Sequence, residues 1–472
     1  MQVLKVLKKL SKDKKVEVYL AGSFVREYLR NKKSTEIEAV VRGLSLKTVK
    51  KFLKRYGSVK EVRSGEKPGS SMLMFKPDGG NYEEMVSISL PSRGKKKIKD
   101  SNNTLKQDVL FRDFKVNSMY LPIDFKSKKD VIDLVGGRKD INDRRITANG
   151  SAKDRFKESP ISMLKAVSLA SKTKYTIDDS VIKAIRECAH LINLCSEEDI
   201  RDEFNKIIMS KQPSKYMRLL LKTGLLKVIA PEIYRCVGVR QDDRYHKFDV
   251  FTHLIYTLDN CDEELTLRLA GLLHDIGKPD TRKETVEGNT VRVTFHKHEM
   301  VGIKLAKSFL KRLKYGSKLT NEVLTLVKFH MFHYTRDWTD SAVRKFIRKL
   351  EIPEEYLTDE KIAEFPLFKL RSAERLGNGL KGIAITDRQK DFENKLIQVH
   401  TDDKSFKISD LKIDGHKLIE EFSLKSDKSV GELLRYLHGR VLEDITLNNI
   451  EDLIILARKY INENYCTARS IN

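Results

Sequence analysis

Near residue 145 the rhythm of the sequence changes, and that change limits the folds open to the chain. Upstream, short β-branched runs at 16–20, 37–41, 85–90 and 115–121 alternate with helical stretches such as LSLKTVKKFLKRYG, the signature of a small α/β domain. Downstream almost everything reads as helix, with apolar residues at three-and-four spacing in PISMLKAVSLAS and SKYMRLLLKTGLLKVIAPEI. In the second stretch Gly224 and Pro231 punctuate helix ends. Further breaks are expected at YRCVGVRQDDRYHKFD and at the polar HTDDKSFKISD near residue 400. The expected units are therefore an α/β head (1–144), a helical neck (145–235), a helical body (236–400) and a helical tail (401–472).

Charge narrows the partners. Lys and Arg number 91 against 67 Asp and Glu, a formal net charge of +24. Such an excess fits a polyanion, RNA or DNA before an acidic membrane, although a lysine-rich codon bias gives the same count. The cluster SRGKKKIKDSNN at 92–103 reads as a basic loop suited to phosphates or as an ordinary solvated one. Five cysteines (Cys188, Cys195, Cys236, Cys261, Cys466) form no C-x-x-C pair. They read as reduced thiols, not as a disulfide frame or a zinc ribbon. No apolar run approaches membrane-spanning length, and MQVLKVLKKLSKDKK lacks the core of a signal peptide. A cytoplasmic protein with no membrane partner is expected.

Two places carry candidate chemistry. In VYLAGSFVREYLRNKKSTEIEAVVRG (18–43) a strand enters a small-residue turn at Ala21, Gly22 and Ser23, then a helix with Arg26. The acids Glu36 and Glu38 follow in the triplet E-I-E. Carboxylates at i and i+2 on a strand share one side of a sheet, as a Mg²⁺ site requires. Yet Mg²⁺ demands near-ideal octahedral geometry, and glutamate is one methylene longer than aspartate. The second place is a histidine concentration: six of the eleven (His253, His274, His296, His298, His330, His333) fall between 253 and 333. His253 lies on an amphipathic stretch, His274-Asp275 at a helix C-terminus before Gly277, His298 at a helix start and His330 at a helix end.

The ordered set of motifs resembles the bacterial class II tRNA nucleotidyltransferase (CCA-adding) and poly(A) polymerase family. Its Gly-Gly turn with a following Arg corresponds to Ala21-Gly22 and Arg26, and its Asp-x-Asp strand to Glu36-Ile37-Glu38. The Arg-Arg-Asp-Phe-x-x-Asn-Ala segment corresponds to Phe111-Arg112-Asp113-Phe114 with Asn117-Ser118, and the Asp-x-x-Gly-Gly turn to Asp133 with Gly136-Gly137. The likeness runs on through RFKESPISMLKAVSLAS and the histidine region to SDLKIDGHKLIEEF. It implies a polymerase-β-like α/β nucleotidyltransferase head, an all-α neck that binds RNA, an HD body and a helical tail. By this resemblance Glu36 and Glu38 hold Mg²⁺ and catalyse. Gly22, Ser23, Arg26, Arg112, Asp113 and Asn117, with Ser159 and Ser162, would line a site for ATP or CTP. RNA, and specifically tRNA, is the implied partner.

Departures from the family pattern are equally specific. Glutamates replace both aspartates, Ser87 stands where a third acid is expected, Phe111 replaces one arginine and Asp199 another. In the family's Glu-Asp-x-x-Arg segment the Asp and Arg present hydrogen bonds to the incoming base; here those positions are Ser159 and Ser162. A hydroxyl cannot supply the paired edge that a carboxylate and a guanidinium offer. Impaired nucleotide addition is the expectation. The retained Arg26, Arg112, Asp113 and Asn117 would serve equally as scaffold.

The histidine region resembles the HD-domain phosphohydrolases, which implies His253, His274, Asp275, His298 and His330 as metal ligands. Glu374 stands at the distal acid position in LRSAERLGNG, and Lys278 is a further catalytic candidate. Imidazoles with a bridging carboxylate suit Mn²⁺, Ni²⁺, Fe²⁺ or Zn²⁺ better than Mg²⁺. His246, His296 and His333 are expected to be structural. Three readings stay open: an RNA 3′-end protein with a weak head and a working HD site, an active CCA-adding enzyme, and a non-catalytic tRNA binder.

Overall fold

The computed structural model describes residues 1–34, 36–63, 71–79, 85–91, 105–287, 290–380, 385–405, 407–424 and 428–465. The basic cluster at 92–103 lies outside the described residues, as does Cys466. The head is built on a seven-stranded mixed sheet of β1 (Glu17–Ala21), β2 (Ile37–Arg42), β3 (Gly57–Arg63), β4 (Ser71–Pro77), β5 (Val86–Ser89), β6 (Met119–Pro122) and β7 (Ile132–Asp133), ordered β3-β4-β5-β2-β1-β6-β7. β2 and β5 run parallel; β1 lies antiparallel between β2 and β6.

Side-chain alternation divides this sheet into a covered face and a working face. Val18, Leu20, Ile37, Ala39, Val41, Met119 and Leu121 turn to the main core. There they meet Val3, Leu7 and Leu10 of helix Gln2–Lys14 and Phe52 of helix Leu46–Leu53. Ala21, Val40 and Tyr120 turn the other way with Val109. Glu38 shares that second face, since it pairs with Ala21, which pairs in turn with Tyr120.

The chain departs locally from the sequence reading. Strands β3 (GSVKEVR) and β4 (SMLMFKP) lie in a stretch where the sequence reading marked no β-branched run. The run at 115–121 opens instead as a short turn, Lys115–Asn117, closed where the Ser118 hydroxyl donates to the Phe114 carbonyl at 2.7 Å; the strand starts at Met119. The helical half contains a two-stranded antiparallel pair, Lys283–Glu287 with Thr290–Thr294, in which Thr285, Val286, Val291 and Val293 supply β-branched residues.

One continuous core runs from Val3 to Val399, and a separate one (Leu411 to Ala457) fills the tail. Arg268 is buried and donates to the carbonyls of Ile208 (3.1 Å) and Asp262 (2.9 Å). Arg312 forms a two-pronged pair with Glu232 at 2.8 and 3.0 Å. These contacts tie the neck to the helices that carry the histidines. Cys188, Cys195, Cys236 and Cys261 are buried and not joined in disulfides. Among the described residues no helix is long and apolar enough to cross a membrane.

The Asp133 turn fixes the end of the sheet. Its carboxylate accepts from the backbone N–H groups of Val135 (3.2 Å), Gly136, Gly137 and Arg138 (each 2.9 Å). Gly136 has φ 84°, and a Cβ on Gly137 would collide with the Lys115 carbonyl. Burial opposes the charge on Asp133, but the four donors hold its carboxyl below the usual range. Asp133→Ala is expected to cost about 2 kcal/mol at neutral pH, and Asp133→Asn, which keeps an acceptor, less. Because the folded carboxyl is depressed, its contribution is present above the ordinary carboxylate pKa and is lost as pH falls through the folded value. Thermal melts of wild type and variant should therefore converge in acid.

Candidate functional site

In the head the two acids have different partners. Glu36 precedes β2 with its side chain 60% exposed, and its charged neighbour is Lys172 at 3.5 Å. Glu38 is held by Arg112, whose Nη2 donates to Oε1 at 2.7 Å. The same guanidinium donates through Nε to Asp108 and to the Tyr120 hydroxyl, each at 3.1 Å, and lies over the Tyr120 ring. Tyr120 in turn donates to Asp108 at 2.6 Å. Burial works against the Arg112 charge, but Glu38 and then Asp108 more than offset it, so the guanidinium stays firmly protonated.

The other head residues singled out in the sequence join this scaffold. Gly22 sits at φ +65°, where a Cβ would collide with the Glu38 carboxylate; only glycine combines that backbone with that approach. The Ser23 hydroxyl donates to the Glu36 carbonyl at 3.4 Å. Arg26 is fully buried, donating to Glu27 at 2.8 Å and to the Asn117 side chain. The Asn117 carbonyl accepts from Arg112. Asp113 faces Lys165 at 3.8 Å. Ser87, beside Glu38 in the parallel register, donates to the Ile37 carbonyl. Ser162 is buried at the start of helix Ser162–Thr173 and donates to the Ser159 hydroxyl at 3.2 Å, so the two serines satisfy one another.

Among the described residues no three acids converge in the head. The donor set there is one exposed carboxylate and one paired with a guanidinium, and Mg²⁺ is usually held by one or two carboxylates together with substrate phosphates and water.

The histidine cluster is the opposite case. His253 comes from helix Val250–Asn260, His274 and Asp275 follow helix Leu265–Leu273, His298 opens helix His298–Arg312, and His330 caps helix Ser317–Phe329. All five are buried. Three imidazoles are oriented identically. Nδ1 donates to the carbonyl three residues back: His274 to Gly271 (2.9 Å), His298 to Phe295 (2.8 Å) and His330 to Val327 (2.7 Å). A carbonyl only accepts, so in the neutral rings this assigns the proton to Nδ1 and leaves the Nε2 lone pair facing inward.

His298 and His330 therefore face each other Nε2 to Nε2 at 3.2 Å, and His253 and His274 at 3.1 Å. Asp275 lies between the pairs: Oδ2 is 3.2 Å from His274 and 3.5 Å from His253, Oδ1 3.1 Å from His298 and 3.6 Å from His330. Two sets with ligand atoms within 4.8 Å of one another result, His253–His274–Glu374 and Asp275–His298–His330. Imidazole nitrogens and carboxylate oxygens converging at this spacing fit a divalent transition metal.

The electrostatics agree with that role. Burial, then the neighbouring His274, presses His253 down to about 3. Burial also lowers His330, whereas Asp275, acting against burial, raises His274 above the ordinary imidazole value. Burial opposes the charge on Asp275, yet Lys278, with Nζ at 2.6 Å, followed by His274, holds its carboxyl well below the ordinary range. Against burial, Arg371 brings Glu374 to about 2.

Sequence reasoning missed two groups here. Gln241 accepts from Lys278 at 2.7 Å, and nothing in its surroundings marked it. Arg371 donates to Glu374 at 3.0 Å, an i,i+3 pairing on helix Pro366–Gly377 that the sequence did carry. His246 packs edge-on to His253 at 5.2 Å but belongs to neither ligand set; His296 and His333 are likewise outside them.

Comparisons with known proteins follow the same division. The Poly A polymerase head domain matches residues 18–147, the probable RNA and SrmB-binding site of polymerase A residues 174–236, and the HD domain residues 250–375. A multifunctional CCA protein of Neisseria meningitidis is 27% identical over 360 residues, 73% of this chain and 80% of its own length. An A-adding tRNA nucleotidyltransferase of Deinococcus radiodurans is 29% identical over 255 residues, and that match spans 56% of its length. The Bacillus stearothermophilus CCA-adding enzyme, solved with CTP, shares the fold at a TM-score of 0.58 and 18% identity, over 98% of this chain and 97% of its own. The Thermotoga maritima CCA-adding enzyme, solved with tRNA, gives 0.50 at 18% identity, over 97% and 95%. The chain belongs to the tRNA nucleotidyltransferase and poly(A) polymerase family, in its form that carries an HD domain.

Proposed function

We propose that this protein acts at the 3′ ends of RNA, with tRNA as its partner. In this reading the head adds nucleotides weakly or not at all, and the HD cluster is a metal-dependent phosphohydrolase. The observation that carries it is the contrast between two acid sets. Glu38 is paired with Arg112 at 2.7 Å, while the HD ligands converge in two sets of three. The tRNA part rests on the +24 charge and on relatives named for CCA addition, one of them solved with tRNA.

Each residue has a part in this reading. In the head, Ser159 and Ser162 bond to one another and lack the carboxylate–guanidinium edge that selects a base. At the HD cluster His253, His274, His298, His330, Asp275 and Glu374 would hold the metal, which when bound supplies Lewis-acid activation of a phosphoester and of water. Lys278, fixed between Asp275 and Gln241, orients the Asp275 carboxylate and keeps a positive charge at the edge of the cluster.

Two outcomes are expected. Incubated with Mg²⁺, CTP, ATP and a tRNA ending at its discriminator base, the purified chain should label the RNA at less than roughly a hundredth of the rate of an adding enzyme. Glu36→Asp with Glu38→Asp should not restore it while Ser159 and Ser162 remain. Addition at ordinary rates would overturn this half and establish an active CCA-adding enzyme. For the other half, elemental analysis should find a transition metal in the purified protein. His274→Ala should lose metal and more than roughly a hundredfold in phosphatase turnover with Mn²⁺, Ni²⁺ or Co²⁺. No metal and no turnover would leave a non-catalytic RNA binder, whose affinity must then fall steeply with salt.

A further inference from the structure

The two ligand sets of the HD cluster are not built alike. In Asp275–His298–His330 both rings are aimed by a backbone carbonyl, His298 by Phe295 and His330 by Val327. The carboxylate oxygen on that side, Asp275 Oδ1, accepts no hydrogen bond from any described residue and lies 3.1 Å from His298 Nε2. In His253–His274–Glu374 only His274 is aimed in this way; the buried Nδ1 of His253 has no hydrogen-bond partner among the described residues. Cations also crowd this second set. Arg371 donates to Glu374 at 3.0 Å, and it is fixed by the His330 carbonyl at 3.2 Å and by the Phe332 ring under its guanidinium. Lys278 sits on Asp275 Oδ2 at 2.6 Å, held there by Gln241 at 2.7 Å, and Oδ2 is the oxygen nearer His253 and His274.

We infer that the cluster binds two divalent ions with unequal affinity, the tight one at Asp275–His298–His330 and the weak one at His253–His274–Glu374. Two independent causes act in the same direction. The first is orientation. An imidazole whose outer nitrogen is hydrogen-bonded is held in its ligating tautomer and pose, and loss of one such contact lowers metal affinity by roughly 10–100-fold. Both rings of the tight set have that contact, and His253 lacks it. The second is charge. An ion entering the weak set meets Arg371 and Lys278 at hydrogen-bond distance from carboxylate oxygens it would use, in a buried place where like charges repel strongly. Neither cation is a ligand; both are positioning residues that set how firmly the second ion is held. When metal is scarce the chain carries one ion, and only an excess fills the weak set. The inference rests on the reading of the cluster as a metal centre, and counting bound ions tests it separately from turnover.

The full-length protein, freed of metal with a chelator and dialysed, is titrated with Mn²⁺ by calorimetry, and bound ion is counted by electron paramagnetic resonance. Two steps should appear, separated by roughly tenfold or more in affinity. His298→Ala with His330→Ala should remove the tight step, and His253→Ala with Glu374→Gln only the weak one. Arg371→Gln and Lys278→Met keep every ligand in place, so they test the idea even where a ligand variant fails to fold. Each should tighten the weak step several-fold and narrow the gap. Lys307→Gln, which removes an exposed charge from helix His298–Arg312, should leave both steps within about twofold. Two equal steps would overturn the inference. So would a tight step lost with His253 and Glu374 instead of with His298 and His330, or a gap that neither Arg371→Gln nor Lys278→Met narrows, even where the protein hydrolyses phosphoesters. Unequal steps that follow the expected ligands, with no ester hydrolysed, would uphold it and remove the phosphohydrolase reading.

Discussion

The Arg112 guanidinium touches Glu38, Asp108 and the Tyr120 hydroxyl at once, and its neighbour Asn117 receives Arg26. Through these bonds the strand that carries Glu38 is locked to the segment around Asp108–Tyr120 and to the first helix after β1. Such a network is stable because every charge in it is answered. Removing one partner from a buried pair leaves the other uncompensated, typically at a cost of about 3–5 kcal/mol. The residues that elsewhere in the family read as nucleotide machinery here hold the working face of the sheet together.

The HD cluster uses similar residue types to the opposite end. Its carboxylate, Asp275, lies between two histidine pairs with one oxygen toward each, and three rings are aimed by their own backbone carbonyls. Those carbonyls belong to helix ends and turns, where backbone groups lack helical partners, so the fold orients the ligands through groups it would otherwise leave unpaired. In the head, side-chain cations consume the acids; in the body, backbone acceptors free the imidazoles. The proposed division of labour between head and body rests on this difference in partners more than on the identity of the residues.

Much of this was legible in the chain itself. His253, His274, His298 and His330 fell at helix faces and ends because the apolar spacing located those helices, and the structure brings all four to Asp275. The Asp133 turn could be read from its glycines. The pairing of Glu38 with Arg112 could not, since it joins residues 74 apart through strand order that no local pattern encodes. E-I-E promised two carboxylates on one side of a strand, but β2 begins at Ile37, so Glu36 escapes to solvent. The hairpin at 283–294 was hidden in a helical region because charged residues interrupt its alternation.

Metal binding by the head tests the account most directly. With the HD cluster removed by His274→Ala and His330→Ala, Mn²⁺ binding in the presence of CTP is followed by electron paramagnetic resonance. A head closed by Arg112 should show no tight Mn²⁺ site, and Glu38→Gln should leave the spectrum unchanged. A tight site that Glu38→Gln abolishes would mean that the guanidinium yields to the cation, and the account of the head would be wrong.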